Sequence, residues 1–290
     1  DRNKYQFDFV TTDCGERFKS EINMLGGRVF QLPSKSKHPL KYMTQLKTLI
    51  KSNKYEIVHS NTNSASAFLD LYPAKKANCN IRIAHSHNSN CLIKWQHYLF
   101  KPLLRLVATY KLACSDSAAK WMYGNKAEYH ILHNGIDFDK FAFCPDLRNT
   151  VRDEFSWGGD FVIGNVASFQ ERKNQKFLIK LMPDLIGKLP NIKLVFVGQG
   201  ATFAELSEMT KQLNLENYVE FLGNRNDVSR ILNGFDVFCF PSVFEGLSVA
   251  YLEAAANGLD VLISDSIPYT NLTPKIHRLS LSSPQDWIST

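Results

Sequence analysis

Long apolar runs, paired cysteines and low-complexity tracts are absent from this sequence. No stretch reaches 18 apolar residues, so nothing in it reads as a membrane-spanning helix. Six cysteines, Cys14, Cys79, Cys91, Cys114, Cys144 and Cys239, are scattered without a C-x-x-C pair. That excludes a disulfide-dense secreted scaffold and points to free thiols in a reducing compartment. No internal repeat and no signal peptide are visible, and the first residue, Asp1, is not an initiator Met, so the natural start is expected upstream. The aromatic-plus-basic motifs of nucleic-acid readers are also lacking, which argues against a nucleic-acid partner.

What is present is enough apolar matter for one large or two ordinary cores: 290 residues, 44% hydrophobic and 12% aromatic. The net charge of +6 conceals an asymmetry. Residues 1–142 carry 21 basic against 11 acidic side chains, and the remainder 13 against 17. A basic half of this kind suits anionic lipid headgroups, a polyanionic substrate or nucleic acid, or is simply a solvated surface, and charge alone does not choose.

Short apolar, β-branched or aromatic runs alternate with helical stretches, the pattern of parallel α/β layers. The first series comprises FDFVTT from Phe7, RVFQL from Arg28, EIVHS from Glu56, IRIAHSH from Ile81, YKLACS from Tyr110 and YHILHNGI from Tyr129. Ligands bind beyond the carboxyl ends of strands in open α/β sheets, which marks Ser60, Asn61, His85, His87, Ser115 and Asn134. A second series follows: FVIGNVAS from Phe161, IKLVFVG from Ile192, YVEFLG from Tyr218, DVFCFPS from Asp236 and DVLISDS from Asp260. These are near-continuous apolar runs, as buried parallel strands should be. The reading is two Rossmann-like βαβ domains facing across a cleft, 1–143 and 144–290, joined near residues 143–150.

The stretch from Asp236 to Ser264 is the richest in chemistry. A buried strand ends at Pro241, a polar loop reaches Glu245-Gly246, and a helix is expected from there to Asn257, closed by Gly258. Amides of Gly246, Leu247 and Ser248 at the positive end of such a helix would suit a diphosphate. Glu245 and Glu253, eight residues apart, would lie about 80° apart round that helix and reach one cleft. On spacing alone, a helix cap and a surface carboxylate fit equally well.

This stretch closely resembles the FPS-x-x-EG-x-x-x-x-x-x-E signature of glycosyltransferase family 4, whose fold is GT-B. By that resemblance Glu253 holds the nucleotide ribose, Glu245 the donor sugar hydroxyls, and Gly246, Leu247 and Ser248 the diphosphate and sugar. NVASFQERKNQKFLI, from Asn165, is similar to the family's GR-x-x-x-x-KN segment and puts Lys173 at the phosphate-binding lysine. Ser168 stands at the usual arginine position and Ala167 at the usual glycine, with Arg172 as a substitute cation. FVGQGATFAEL resembles the VG-x-G strand end, where Gly198 and Gly200 would let backbone approach the nucleotide. FLGNRNDV resembles the nucleobase loop, with contacts from Arg225 to Val228. IRIAHSHNSN resembles the H-x-H strand end, and His87 becomes the imidazole at the donor sugar.

The resemblance spans almost the whole chain and points to the bacterial exopolysaccharide and capsule branch. The family's first strand and its C-terminal crossing helix are not matched within the sequence. It implies a retaining hexosyltransferase that uses a nucleotide-diphosphate sugar, UDP-linked by preference, without metal or other cofactor. The acceptor would be a glycan or a polyprenyl-diphosphate-linked sugar, met in the cytoplasm at the inner face of the membrane. Catalytic roles fall to His87, Lys173 and Glu245. Alternatives are a sugar-nucleotide epimerase, a phosphorylase, or a homologue that binds without turnover. Asp137-Phe138-Asp139 spells the D-x-D of a different, metal-using transferase fold, but no carboxylate cluster supports it. His85, His87 and Cys91 lack a second pair to complete a zinc site. The stretch from Cys91 to Leu112 mixes apolar and basic residues; Leu99, Leu103, Leu106 and Val107 are assigned to the core, and its basic side to contact with anionic membrane.

Overall fold

The computed structural model describes residues 5–12, 16–91, 93–270 and 273–290, and the chain divides into two compact units, Asp1–Ile131 and Leu132–Thr290. In the first, the elements run β1 Phe9–Thr11, α1 Glu16–Met24, β2 Val29–Gln31, α2 Pro39–Ser52, β3 Ile57–Thr62, α3 Phe68–Lys76, β4 Ile81–Ser86, α4 Lys94–Val107, β5 Tyr110–Ala113, α5 Asp116–Tyr123 and β6 His130–Ile131. Strands β1 and β2 form one parallel pair, and β3-β4-β5-β6 form a parallel sheet in chain order. All six runs expected from the sequence are strands.

Helix α2 shows why the layers form. Tyr42, Leu46 and Ile50 recur every four residues, so they share one face, which packs with Ala74 and Cys79. Asp70 of α3 is buried here and fully engaged: Tyr42 Oη donates to it at 2.8 Å, Ser60 Oγ at 2.6 Å and Lys35 Nζ at 2.8 Å. A buried carboxylate satisfied three times ties α2, α3 and β3 together.

Helix α4 departs from the sequence reading. Val107 is buried, but Leu99 and Leu106 are 56% and 70% exposed, and Leu103 is exposed as well. The core side is His97, Leu104 and Val107 instead. Apolar residues populate both faces of this helix, so periodicity could not say which one turns inward.

The second unit runs α6 Phe138–Phe141, α7 Pro145–Glu154, β7 Phe161–Val166, α8 Gln175–Lys188, β8 Ile192–Val197, α9 Phe203–Gln212, β9 Val219–Gly223, α10 Val228–Ile231, β10 Val237–Phe240, α11 Val249–Asn257, β11 Asp260–Ser264, β12 Ile276–Leu279 and α12 Pro284–Ser289. Six parallel strands make one sheet in the order β12-β11-β10-β7-β8-β9. Its core joins Ile163, Leu194, Phe196, Cys239 and Leu262 of the strands to Leu178, Ile179 and Met182 of α8. Strand β12 was not foreseen, since Ile276-His277-Arg278-Leu279 is short and half polar. Residues 132–143, assigned to the first domain by sequence, group with the second unit. Asn134 Nδ2 donates to Leu247 O at 2.6 Å, and Asn257 Nδ2 to Phe141 O at 3.0 Å.

No helix among the described residues is long and apolar enough to cross a membrane. No disulfide joins Cys79, Cys91, Cys114, Cys144 and Cys239; Cys14 lies outside the described residues.

Candidate active site

The strand order of the second unit locates a site before any side chain is considered. From β7 the chain winds outward through β8 and β9, then returns to lay β10 on the other side of β7. Such a reversal opens a crevice at the carboxyl ends of the two central strands. The opening is visible in the register: β10 pairs with β7 only through Val237↔Ile163 and Phe238↔Gly164. One residue on, the buried Asn165 side chain replaces the backbone ladder by donating to Cys239 O at 2.8 Å. The strands diverge, and the loops beyond them meet. Val243 N donates to Arg172 O at 2.8 Å, and Asn174 Nδ2 to Pro241 O at 3.2 Å.

The β7 loop ends in a 3₁₀ turn, Glu171–Lys173, followed by Asn174 at φ 54°, a left-handed position that Asn tolerates. Lys173 is 8% exposed; its Nζ lies 2.5 Å from Glu245 Oε1 and 4.7 Å from the centroid of Phe240. Arg172 Nη1 donates to the same Glu245 oxygen at 2.6 Å. Adjacent residues need not point the same way, but the tight turn and the long Arg172 side chain bring both cations to one carboxylate. Burial, opposed by the Glu245 carboxylate, pulls the Lys173 ammonium below its ordinary value. Two cations against one anion leave this crevice with an excess positive charge in low-dielectric surroundings, a setting that favours an incoming anion.

Helix α11 begins later than expected. Its first residue is Val249, with Ser248 extended at the cap, so Glu245 lies in the loop and the 80° relation to Glu253 does not hold. Gly246, Leu247 and Ser248 form the approach to the helix, and the positive end of its dipole lies at Val249. Leu247 is buried and its carbonyl is held by Asn134, which fixes the loop. The C-terminal end agrees with the sequence: Gly258 caps it at φ 87°. Glu253, in the second turn, is half-buried, and no hydrogen bond or ion pair holds its carboxylate among the described residues. Burial raises its pKa, and the charge of Lys140 opposes the rise.

Gly198 and Gly200 have φ values of 145° and 158°. A Cβ on Gly198 would sit 2.0 Å from Ala167 O, and one on Gly200 2.3 Å from Phe169 O. The backbone that approaches these glycines is therefore the β7 loop itself, which they let pack close. Gly198→Ala is expected to lower stability by about 1–3 kcal/mol, read as a lower denaturant midpoint at unchanged slope. An unchanged midpoint would show that the loop yields.

Arg225 is committed to Asp227 through a two-pronged pair at 2.9 and 2.8 Å, and Val228 opens the short helix α10. Ser168 is exposed, and its carbonyl accepts from Gln175 Nε2 at 3.2 Å. Asp137 caps α6, accepting from Lys140 N at 3.2 Å. No group of three His, Cys, Asp or Glu that could hold a metal occurs among the described residues.

His87 belongs to the first unit, just beyond β4. Alternation puts His85 and His87 on one side, their ring centroids 4.0 Å apart. His87 Nε2 donates to Asn61 Oδ1 at 2.9 Å, and His59 Nε2 lies 3.2 Å from His85 Nδ1. Burial, with the nearby His87, lowers the pKa of His59. Sequence reasoning missed His59, Asn165, Asn174, Phe240 and Lys140. Only Asn174 carried a signal, as a residue suited to the left-handed position before a helix.

Comparison with known proteins fits this geometry. The family profile described as Glycosyl transferases group 1 matches residues 148–272, and that described as Glycosyltransferase Family 4 matches residues 1–140. A Bacillus subtilis (strain 168) protein assigned to the glycosyltransferases, EpsF, is 35% identical over 98% of this chain and 78% of its own length. The Escherichia coli UDP-Gal:alpha-D-GlcNAc-diphosphoundecaprenol alpha-1,3-galactosyltransferase is 28% identical over 78% of this chain and 62% of that enzyme. Among solved structures, Anabaena HepE, crystallised with UDP and glucose, superposes with a TM-score of 0.83 at 18% identity, covering 97% of this chain and 80% of HepE. WaaG, a glycosyltransferase involved in lipopolysaccharide biosynthesis, gives 0.73 at 17% identity over 98% of this chain and 81% of WaaG. With two parallel α/β units, a crevice where the second sheet reverses, and a 35% identical relative along nearly its whole length, the chain belongs to glycosyltransferase family 4 and has the GT-B fold.

Proposed function

We propose that this chain transfers a hexose from a UDP-sugar to a glycan or lipid-linked sugar acceptor, with retention at the anomeric carbon, in exopolysaccharide or capsule synthesis. The observation that carries the reading is the convergence of Arg172 and Lys173 on Glu245 at the β7–β10 opening. A diphosphate entering there would take over the two cations, and Glu245 would be released toward the sugar hydroxyls. Leaving-group charge then meets fixed cations instead of a metal ion. Glu253, half-buried and without a hydrogen bond or ion pair to its carboxylate among the described residues, is the carboxylate available to ribose hydroxyls. His87 is assigned the imidazole of the transfer step, oriented by Asn61. Gly246, Leu247 and Ser248 supply backbone to the diphosphate and sugar, while Arg225 and Val228 present backbone to the base. UDP is preferred because HepE was crystallised with it and the E. coli relative uses UDP-Gal. The same relative's diphosphoundecaprenol-linked acceptor supports a lipid-linked substrate, met in the cytoplasm at the inner membrane face.

A thermal-shift series with UDP, GDP, ADP and their sugars in EDTA tests this on the parent chain and on Glu253→Ala. A ligand at about 100 times its Kd adds roughly 2.7 kcal/mol, a shift of several degrees at this size. UDP is expected to stabilise the parent and not the variant. Stabilisation by GDP alone would replace the base. A metal requirement would overturn the cation-based leaving-group assignment. Acceptor-independent change of the sugar would mark an epimerase, and phosphate dependence a phosphorylase. Retention is read from the anomeric configuration of the product.

A further inference from the structure

Four polar side chains share one face of the β3–β4 pair. The parallel register sets Asn61 beside His85, and alternation carries His59 and His87 to the same side. The backbone that bears them is fixed: His87 N donates to Thr62 O at 2.9 Å, one step past β4, and Cys114 N donates to Ser86 O at 3.0 Å. What remains to be set is the rotation of the His87 ring. Its edge is held by Asn61, whose Oδ1 accepts from Nε2 at 2.9 Å and so puts the ring proton on that nitrogen. Its flat side meets His85, with ring centroids 4.0 Å apart and planes tilted by 40°. His85 is 5% exposed, and its Nδ1 lies 3.2 Å from His59 Nε2, the two rings being stacked at 14°. An apolar side chain in place of His85 would fill the space and leave no polar atom to satisfy. The imidazole pair does what an apolar pair cannot: a hydrogen bond between ring nitrogens fixes both planes, and with them the surface on which the third ring leans.

We propose that His59 is a positioning residue for the transfer step: through its hydrogen bond to His85 it sets the ring plane of His87 at the carboxyl end of β4. His59 lies two residues behind Asn61 on β3, about 7 Å back along the strand, so it acts from behind the strand end and through a second ring. His85 passes the constraint on to His87. A ring that leaves its plane also leaves the Asn61 hydrogen bond, so plane and tautomer are lost together. Displacing a reacting group by about 1 Å costs up to about 10²-fold in rate, which is the scale on which such a support matters. The inference deepens the proposed role of His87 and rests on that reading for its catalytic meaning. Ring orientation is measured without substrate and transfer without any label, so either reading can fail alone.

The test joins a spectrum to a rate, both on the whole chain. Long-range proton–nitrogen correlation of isotopically labelled histidine reports the tautomer of each imidazole, and His87→Asn identifies the His87 signals. In the parent, His87 is expected as a single Nε2–H tautomer. His59→Phe keeps a flat ring and removes the nitrogen. It should turn the His87 signals into a mixture of tautomers and lower kcat about tenfold, with the donor KM within about twofold of the parent. His59→Gln places an amide nitrogen as many bonds from Cα as Nε2 and should restore both the spectrum and the rate. If the phenylalanine variant does not fold, His59→Asn, whose amide is one bond too short, takes its place. A folded variant with parental His87 signals or parental kcat overturns the proposal, and so does a glutamine variant that restores neither. A parent without transfer activity defeats the proposed reaction, and the spectrum then decides the positioning by itself.

Discussion

Lys173→Met is expected to lower kcat/KM for transfer by about 10²–10³-fold, the range lost when one preorganised charge partner of a developing anion is removed. The substitution keeps the length of the stem, and the Phe240 ring that now faces an ammonium accepts a thioether. Glu245 retains Arg172, so its buried carboxylate still has a cation and the fold has no unpaired charge to expel. The loss should therefore appear in kcat/KM, with Tm near that of the parent. A second readout separates electrostatics from packing. Burial lowers the pKa of Lys173, so the parent's rate should fall on the alkaline side below the ordinary lysine range as the ammonium loses its proton. Lys173→Met should lack that alkaline limb. A variant of parental rate, or one that keeps the limb, would remove Lys173 from the leaving-group site.

The strands of both units except β12 were legible because buried parallel strands leave continuous apolar runs, and β7, β8, β10 and β11 are such runs. What sequence could not supply was the outcome of competition between equal local signals. Gly246, Leu247 and Ser248 follow a polar loop and precede an apolar helix, and nothing local decides whether the helix starts before or after them. Asn134, 113 residues away in sequence, holds the Leu247 carbonyl in the loop. The same limit applies to Arg172 and Lys173. Alternation along a strand would send them to opposite sides, whereas a 3₁₀ turn and two long side chains let both reach one oxygen. Helix α4 failed for another reason: amphipathic order was present, but with apolar residues on both faces the sequence did not say which was covered.

Glu253→Gln is expected to raise the Tm of the ligand-free chain while removing its response to UDP. Inside the fold this carboxylate is desolvated, with the Lys140 charge as partial relief, and its pKa is raised above the unfolded value. The protonated form is therefore the one that folding favours. Relative to the neutral amide, ionised Glu253 carries no penalty below its unfolded pKa. The penalty develops as pH rises from that value through the raised folded value, and it is fully present above the folded value. The gain from Glu253→Gln should accordingly be seen near pH 7 and disappear in acid. A glutamine keeps the shape but cannot accept from two ribose hydroxyls as a carboxylate does, so UDP should stabilise the variant by far less than the several degrees expected of the parent. Stability and binding then move in opposite directions at one residue, which is the signature of a charge kept against folding for the sake of a ligand. If Tm falls at pH 7, Glu253 is held by structure and its burial has another purpose. If Tm rises and UDP still stabilises fully, the ribose contact lies elsewhere in the second unit.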